Sequence, residues 1–269
     1  MKIRRIALAV LGLLTVLFIA DVRYFGRDDS IKEPSIRFNI GSSFDTNKVE
    51  KKQTFTQSQG GFTSLSIKGQ QGVIQLISTD KDEIRVTSTI GADNQKILDS
   101  VEINQSISGS ELSYALTGGR SEDLQDAGVS FVVEVPAGME VSIEQNFGTV
   151  GVRDFVGFLN LNTSFSAVDV WGLEGTAIIQ NSFGDLDLRQ VAGPITLNDS
   201  FSTSTIELLA IDGGYDFDIE VTNGSLKHNA GFQVDISENR VEAREQWGNG
   251  VHPIVIRSSF STVTVNLDK

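Results

Sequence analysis

The chain contains no cysteine among its 269 residues, and only 4 proline, 2 histidine and 2 tryptophan residues. Without cysteine it can form no disulfide and has no thiol to act as a nucleophile or a soft metal ligand. No P-loop, G-x-S-x-G, H-E-x-x-H or EF-hand motif occurs either. The fold must therefore be stabilised by packing, and the enzyme classes that carry these motifs are excluded.

The two histidines do not suggest catalysis. His252 precedes Pro253 in a predicted turn, and His228 takes an inward position in a degraded copy of the repeat described below. A structural role is favoured over a catalytic one for both side chains. The sequence therefore predicts a protein that is not an enzyme and that has no organic cofactor.

Positive charge is also scarce, because 22 Lys and Arg residues stand against 35 Asp and Glu residues and the net charge is −13. Three of the cations, Lys2, Arg4 and Arg5, lie at the N-terminus, so the rest of the chain carries −16. Such a charge disfavours binding to nucleic acid or to anionic lipid through a basic surface. It suits a soluble exported domain, or one that meets a cationic partner or divalent ions.

The longest apolar run follows those cations, from Ile6 to Ala20. A basic start followed by about fifteen apolar residues is typical of a secretory signal or a short membrane anchor. No A-x-A-like cleavage site is present, since Phe18 would occupy the −3 position of a cut after Ala20. We favour an uncleaved anchor over residues 1–22, with a cleaved signal peptide as the alternative. The chain after Ala20 is then extracytoplasmic, and the membrane is its first predicted partner.

Phenylalanine is abundant, with 16 residues, and four of them recur at a spacing of eighteen. Phe147, Phe165, Phe183 and Phe201 each lie in a copy of one short pattern, which reads QNFGTVGV, NTSFSAVDV, QNSFGDLDL and NDSFSTSTIEL in turn. A less regular copy, RSSFSTVTV, surrounds Phe260 near the end of the sequence. A fixed short period indicates that one small structural unit is stacked on itself.

Each copy predicts two short strands and two turns. Apolar residues alternate with polar ones, as at Val168 and Val170 and again at Ala177 and Ile179, which is typical of strands with one buried face. Glycines such as Gly175 fall where the chain must turn sharply. The predicted fold class is all-β: a single-stranded β-solenoid, or β-helix-like stack, of about 18-residue coils, preceded by one N-terminal hydrophobic helix. The phenylalanines are expected to form a ladder inside the stack.

The rest of the chain is assigned around these coils. Residues 23–59 lack a sustained period and are expected to be a tether, whereas residues 60–269 form one β domain. A polar loop from Thr117 to Gly128 is expected to be mobile, and Ser237 to Gly250 is expected to form a hairpin or a long loop. Further strands are predicted at Ser64–Lys68, Val73–Ser78, Glu83–Ile90, Val101–Ile107, Glu111–Leu116, Val129–Val135, Glu140–Glu144, Ile254–Ile256 and Val263–Leu267.

Three stretches resemble a known family. They are SLSIKGQQGVIQLISTDKDEIRV (Ser64 to Val86), VPAG (Val135 to Gly138) and GNGVHPIVIRSSFSTVTV (Gly248 to Val265). In this order, between Ser64 and Lys269, they resemble the toastrack-type, adhesin-like family of bacterial envelope proteins of unknown function. The resemblance implies a β-solenoid-like surface or envelope protein, associated with adhesion or envelope-stress sensing, with no catalytic site to carry over. This sequence departs from the family by placing phenylalanine at most corners.

Three carboxylates are the candidate metal ligands. The fourth copy is predicted to gain two residues after Phe201, so that Asp169, Asp187 and Glu207 share one outward column of the stack. Like charges opposite one another destabilise a sheet, and Ca²⁺ would relieve the repulsion because it prefers carboxylate oxygens. A solvated face without an ion is the favoured alternative, since Lys227 follows in the same column and exposed carboxylates repel weakly in water.

Two further features are candidate contacts. One is a column of small polar residues directly before the phenylalanines, which is either a binding strip or simply what tight turns require; it comprises Asn146, Ser164, Ser182, Ser200 and Ser259. The other is Trp171, which follows the inward Val170 and is predicted to point outward. Trp171 is therefore the candidate contact for a ligand or partner.

These observations predict a non-catalytic protein of the bacterial cell envelope, anchored in the membrane, whose extracytoplasmic part binds or scaffolds envelope proteins or a surface ligand. One alternative is a polysaccharide-active enzyme, because right-handed β-helices host lyases and hydrolases. Basic residues on the repeat faces are few (Arg153, Arg189 and Lys227), which disfavours a lyase. A mechanical spacer is the third interpretation.

Overall fold

Inward apolar and outward polar residues alternate along nearly every strand of the computed structural model, which describes residues 49–268. The predicted anchor at residues 1–22 and the predicted tether as far as residue 48 lie outside the described residues. No helix within residues 49–268 is both long enough and apolar enough to cross a membrane.

Seventeen strands and two short helices make up the described chain, and all the strands belong to one continuous hydrogen-bonded sheet. The all-β prediction is therefore confirmed. The elements are β1 Val49–Ser58, β2 Ser64–Thr79, β3 Glu83–Ala92, α1 Gln95–Ser100, β4 Val101–Ser108, β5 Glu111–Gly118, α2 Ser121–Gln125, β6 Ala127–Pro136, β7 Met139–Ser164, β8 Ser166–Ser182, β9 Asp185–Ala192, β10 Ile195–Ser200, β11 Thr203–Leu209, β12 Gly214–Thr222, β13 Ser225–His228, β14 Val234–Ser237, β15 Arg240–Gly248, β16 His252–Ser259 and β17 Thr262–Asp268.

The first part of the described chain mixes antiparallel and parallel pairs. Strand β3 pairs antiparallel with β1 and β6, β4 pairs antiparallel with β5, and β2 lies parallel to β5, β6 and β7. Two predictions are wrong here. Residues 49–58, assigned to the tether, form β1, whose residues such as Phe55 alternate inward against β3. The predicted loop from Thr117 to Gly128 contains α2 and the start of β6.

The central strands stack in parallel at an offset of eighteen residues, as the repeat predicts. Val150 on β7 lies opposite Val168 on β8, which lies opposite Leu186 on β9. Along the other half of the repeat, Leu161, Ile179 and Leu197 are aligned on β7, β8 and β10. Equivalent residues of successive copies are therefore neighbours across the sheet.

Aliphatic side chains fill the interior of this stack. Those of the aligned residues Val150, Val168, Leu161, Ile179 and Leu197 are all at most 3% exposed. The phenylalanines of the repeat are not among them, because Phe165, Phe183 and Phe201 are 53%, 49% and 51% exposed. The prediction of an internal phenylalanine ladder is therefore wrong, and Val, Leu and Ile fill these aligned interior positions.

The glycine corner has a simple steric cause. Gly157, Gly175 and Gly193 have φ angles of 153°, 137° and 130°, in the region that side chains of L-residues rarely permit. A Cβ atom on Gly175 would also collide with the carbonyl oxygen of Gly157, and one on Gly193 with that of Gly175. Glycine at this corner therefore lets successive copies approach at strand spacing.

The C-terminal copy inserts between earlier ones. Strands β16 and β17 pair in parallel with β10 and β11 on one side and with β12 and β13 on the other. The predicted hairpin at Ser237 to Gly250 is correct only in part. Strand β14 pairs antiparallel with β15 but begins at Val234, and residues 240–248 are a single strand that also pairs with β12. The offset of eighteen also continues past Phe201, since Ser204 lies opposite Leu186 and Ile206 opposite Leu188. The predicted two-residue insertion after Phe201 is therefore wrong, and the register shifts only between Ile206 and Leu208.

Candidate functional site

Five phenylalanines form an outward-facing ladder along one corner of the stack. Phe147, Phe165, Phe183, Phe201 and Phe260 are each about half exposed, between 49% and 54%. Their ring centroids follow one another at 5.3, 4.8, 4.9 and 4.9 Å, and the ring planes differ by 12°, 5°, 2° and 1°. The ladder is therefore about 20 Å long. Because neighbouring rings cover both faces of each inner ring, the ladder presents ring edges to solvent.

The backbone of four rungs is left-handed. Phe165, Phe183, Phe201 and Phe260 have φ angles between 49° and 56°, a conformation that costs an L-residue about 1–2 kcal/mol. Hydrogen bonds hold it in place: for example, the backbone N–H of Phe183 donates to the carbonyl of Ser200 at 3.0 Å. The equivalent bonds of the other three rungs measure 2.8–3.0 Å. A backbone hydrogen bond thus joins each of these corners to the neighbouring copy, and the stacking of the rings adds a second contact between the copies.

The alternation of the strands explains why the ring points outward. Counting forward by two from the buried Leu161 places Thr163 inside, and counting back by two from the buried Val168 places Ser166 inside. Both are buried, at 2% and 3% exposure. Two residues, Ser164 and Phe165, lie between these inward positions, so the alternation breaks there and Phe165 lies at the apex. The small polar residues on both sides of the phenylalanine are the sequence signal for an external ring. The prediction of an internal ladder does not take this signal into account.

A second, internal column of polar side chains lies beneath the ladder. Thr163 Oγ1 donates to Asn181 Oδ1 at 2.9 Å, and Asn181 Nδ2 donates to Asp199 Oδ1 at 3.1 Å. The other Asp199 oxygen accepts hydrogen bonds from Ser202 and from Ser204, the latter at 2.8 Å. These groups are buried and satisfy one another, which a corner that excludes water requires.

An open groove of about 400 Å³ runs beside the ladder. In it, the outward residues Asn162, Gln180, Asn198 and Arg257 lie opposite one another on successive strands. The lining residues are Asn162, Thr163, Gln180, Asn181, Ser182, Asn198, Asp199, Ser200, Arg257 and Ser259. The predicted polar strip therefore contributes three of its five members to the groove, namely Ser182, Ser200 and Ser259.

Charge within the groove is largely neutralised. Arg257 pairs with the carboxylate of Asp218, and its Nη1 also donates to the Asp218 backbone carbonyl at 2.8 Å. The hydrogen bond from Arg257 lowers the pKa of Asp218, against a smaller opposing effect of burial. Asp199, the single carboxylate that lines the groove, is 5% exposed. The groove therefore offers amide and hydroxyl groups rather than free charge.

The predicted acidic column is shorter than expected. Asp169 lies opposite Asp187, but the residue opposite Asp187 on β11 is Thr205, because the predicted insertion is absent. Glu207 is therefore not part of that column. Arginines neutralise the pair, since Arg153 pairs with Asp169 and Arg189 lies 2.6 Å from Asp187 and 3.8 Å from Asp169.

The hydrogen bond to Asp187, reinforced by its charge, raises the pKa of Arg189. Nowhere in residues 49–268 do three or more His, Asp or Glu side chains converge on a possible metal position. Calcium binding by Asp169 and Asp187 thus stays a prediction, and the register removes its third ligand.

Trp171 points outward, with 38% of its surface exposed. It lies opposite Arg153 and Arg189 on the neighbouring strands. Six residues of extended chain separate it from Phe165, about 20 Å at the usual rise per residue, so it is not part of the ladder. Its role as a contact stays a prediction.

Both histidines make contacts that stabilise loops. A ring nitrogen of His252 lies 3.2 Å from the carbonyl oxygen of Asp212, and the ring of His228 stacks on that of Phe232 at 4.7 Å. Neither residue lines the groove.

No protein-family model matches the chain, and no curated protein matches it. Similar solved structures include a candidate cell adhesion protein from Clostridium sporogenes, at 11% identity and a TM-score of 0.43, with 82% of this chain and 100% of that chain covered. A candidate adhesin from Bacteroides fragilis is 12% identical, with a TM-score of 0.36 and coverage of 81% and 97%. A candidate lipid-binding protein from Parabacteroides distasonis is 8% identical, with a TM-score of 0.23 and the same coverage. Adhesin-like structures are thus among those to which the chain is similar.

Proposed function

We propose that this chain is a non-catalytic binding protein of the bacterial cell envelope, and that the phenylalanine ladder and its groove form the binding surface. In this proposal residues 1–22 anchor the protein in the membrane. The parallel coils form a β-solenoid that presents the ladder outside the cytoplasm. The observation that carries the proposal is the size of the exposed aromatic surface.

That surface is large for a monomeric protein. A phenylalanine side chain has about 200 Å² of surface, so five half-exposed rings present about 500 Å². Contiguous apolar patches of this size are at the upper end for soluble proteins and commonly mark interaction sites. Because the rings touch one another, the patch is continuous rather than scattered.

The fold does not itself require phenylalanine at this corner. In the coil beyond Phe260, the equivalent left-handed position is occupied by Asn223, with φ 52°. Asparagine tolerates this conformation better than most other residues with a Cβ, and its side chain is hydrophilic. Five exposed aromatic rings, four of them on strained backbone, therefore favour a function for the rings beyond making the turn.

The groove also bears on the enzyme alternative. Hydrolysis of a glycosidic bond ordinarily uses two carboxyl groups on opposite sides of the bond, whereas the lining residues include Asp199 alone. Asp199 is moreover buried and accepts hydrogen bonds from its own corner. These contacts support binding without cleavage, while a mechanical spacer would not need the exposed rings.

A triple variant that keeps a residue suited to the left-handed backbone at each corner tests the proposal; its circular dichroism spectrum must first match that of the unmodified protein, because losing the rings also removes buried apolar surface. The substitutions Phe165→Asn, Phe183→Asn and Phe201→Asn together remove the central rings and place at each corner the residue found at Asn223. Binding of the full-length protein to isolated cell envelopes, measured by co-sedimentation, should be lost in this variant. Ile107→Ala, which removes an exposed apolar side chain on β4, should leave binding unchanged. Undiminished binding of the triple variant would refute the assignment of the ladder as the binding surface.

A further inference from the structure

Building on the proposed function, we infer the class of ligand: a neutral, linear polysaccharide chain that lies along the ladder, with about one sugar ring for each phenylalanine rung. Three properties of the surface support this choice, namely its area, its repeat distance and its chemistry. Each of them disfavours a different competing occupant.

The area is a narrow strip, which disfavours a globular protein partner. A specific protein–protein interface is a broad patch of about 800 Å² on each side, whereas the ladder confines about 500 Å² of apolar surface to a strip about 20 Å long. A second copy of the chain is disfavoured as well, because each carries a net charge of −13. A narrow strip suits a thin, extended ligand.

The repeat distance separates the thin ligands. The rungs recur every 4.8–4.9 Å from Phe165 to Phe260. An extended polypeptide rises about 3.3 Å per residue, so side chains on one face recur at about 6.6 Å and lose register with the rungs within two steps. A pyranose ring with its glycosidic oxygen advances an extended β-linked glycan by close to one rung. Of these two ligands, the glycan is the one that can place a sugar ring at every rung.

The chemistry of the groove matches a neutral sugar. Asn162, Gln180 and Asn198 form a column of exposed amides at the same spacing as the rungs. Side-chain amides both donate and accept hydrogen bonds, as sugar hydroxyls do. The serine hydroxyls of the polar strip lie between these amides and the rings, whose exposed edges add apolar surface beside the hydrogen-bonding groups.

An acidic polysaccharide fits this surface less well than a neutral one. Of the residues that line the groove, Arg257 is the one cation, and Asp218 already pairs with it. An anionic chain would also approach a protein of net charge −13. We therefore expect binding to change little between low salt and roughly 0.5 M salt, where charge attraction would be screened.

The test uses the full-length, detergent-solubilised protein and β-1,4-linked oligosaccharides of glucose and of N-acetylglucosamine, two to six sugars long, titrated by calorimetry. Affinity should rise with length and level off at five sugars, which is the number of rungs. Phe183→Asn should weaken binding of the hexasaccharide about tenfold, equivalent to ~1.4 kcal/mol. Ile107→Ala, which removes an exposed apolar side chain on β4, is the control and should not change the affinity.

A second variant protects the test against misfolding at the corner. Gln180→Ala together with Asn198→Ala alters two exposed groove residues and should also weaken binding, with an unchanged thermal unfolding curve. If neither oligosaccharide series binds, but phosphatidylcholine vesicles or a proline decapeptide bind in a manner that depends on Phe183, the glycan inference is wrong while the ladder remains a binding surface. If none of these probes binds and envelope binding also survives loss of the ladder, both proposals fail.

Discussion

The left-handed backbone at Phe183 predicts that glycine is more stabilising than alanine at this position, which reverses their usual order of stability. Both Phe183→Ala and Phe183→Gly remove the same ring, so each loses the burial of about 100 Å² of apolar surface, or ~2.5 kcal/mol. They differ in the backbone, where alanine keeps a left-handed cost of about 1–2 kcal/mol that glycine does not bear. Glycine loses about 0.5–1 kcal/mol more conformational freedom on folding. Phe183→Gly should therefore be the more stable variant by roughly 0.5–1 kcal/mol.

Phe147 supplies the control within the same ladder. Its ring is equally exposed, at 52%, but its φ angle is not positive, unlike the 56° of Phe183. There the ordinary order should hold, with Phe147→Ala more stable than Phe147→Gly by about 0.5–1 kcal/mol. Urea unfolding followed by circular dichroism would measure all four variants. If alanine proves at least as stable as glycine at Phe183, the backbone strain inferred for the rungs is refuted.

Three further predictions concern buried and paired groups. The buried Tyr114 hydroxyl has no hydrogen-bond partner, whereas that of Tyr215 donates to the carbonyl of Leu209 at 2.7 Å; thermal unfolding should show Tyr114→Phe neutral or stabilising and Tyr215→Phe destabilising by about 1 kcal/mol. Burial raises the pKa of both tyrosines to about 12. Between pH 10 and 12 their hydroxyl groups therefore stay protonated in the folded state but lose their protons in the unfolded state. Stability should therefore fall between pH 10 and 12, by up to ~3 kcal/mol per tyrosine, and the double Phe variant should lose less. Arg257 holds the pKa of Asp218 below its ordinary value of 3.8, so the stability that the pair contributes is present above pH 3.8 and is lost as the pH falls further. Because both side chains are about 40% exposed, Asp218→Asn should cost less than about 1 kcal/mol at neutral pH, and a larger loss in urea unfolding would contradict this.

Much of the architecture was accessible from periodicity. The spacing of eighteen predicted that Val150, Val168 and Leu186 are stacked, and the structure confirms this register. Glycine at the opposite corner was likewise recognised from Gly157, Gly175 and Gly193. These features depend only on repetition and on local sterics, both of which are visible in a single sequence.

The candidate site was predicted only in part. The polar strip was recognised, but the rings beside it were assigned to the interior because large apolar side chains are usually buried. Glu207 was predicted to belong to the acidic column because an insertion of two residues after Phe201 was assumed. That insertion is absent, so the register differs by two residues from the predicted one. In both cases the error arose at a corner, where alternation no longer identifies the inward face.

The sequence by itself determined which residues of successive copies become neighbours, because an equal period imposes equal offsets on every strand pair. It also determined that the phenylalanines form one ladder. The tertiary structure alone decided that this ladder faces solvent, since at four of the five corners a left-handed phenylalanine turns its ring outward. At the Phe165 corner, Thr163 and Ser166 close the interior. It decided too that Phe260 completes the ladder, because β16 and β17 insert beside β10 and β11, a long-range pairing that no local pattern encodes.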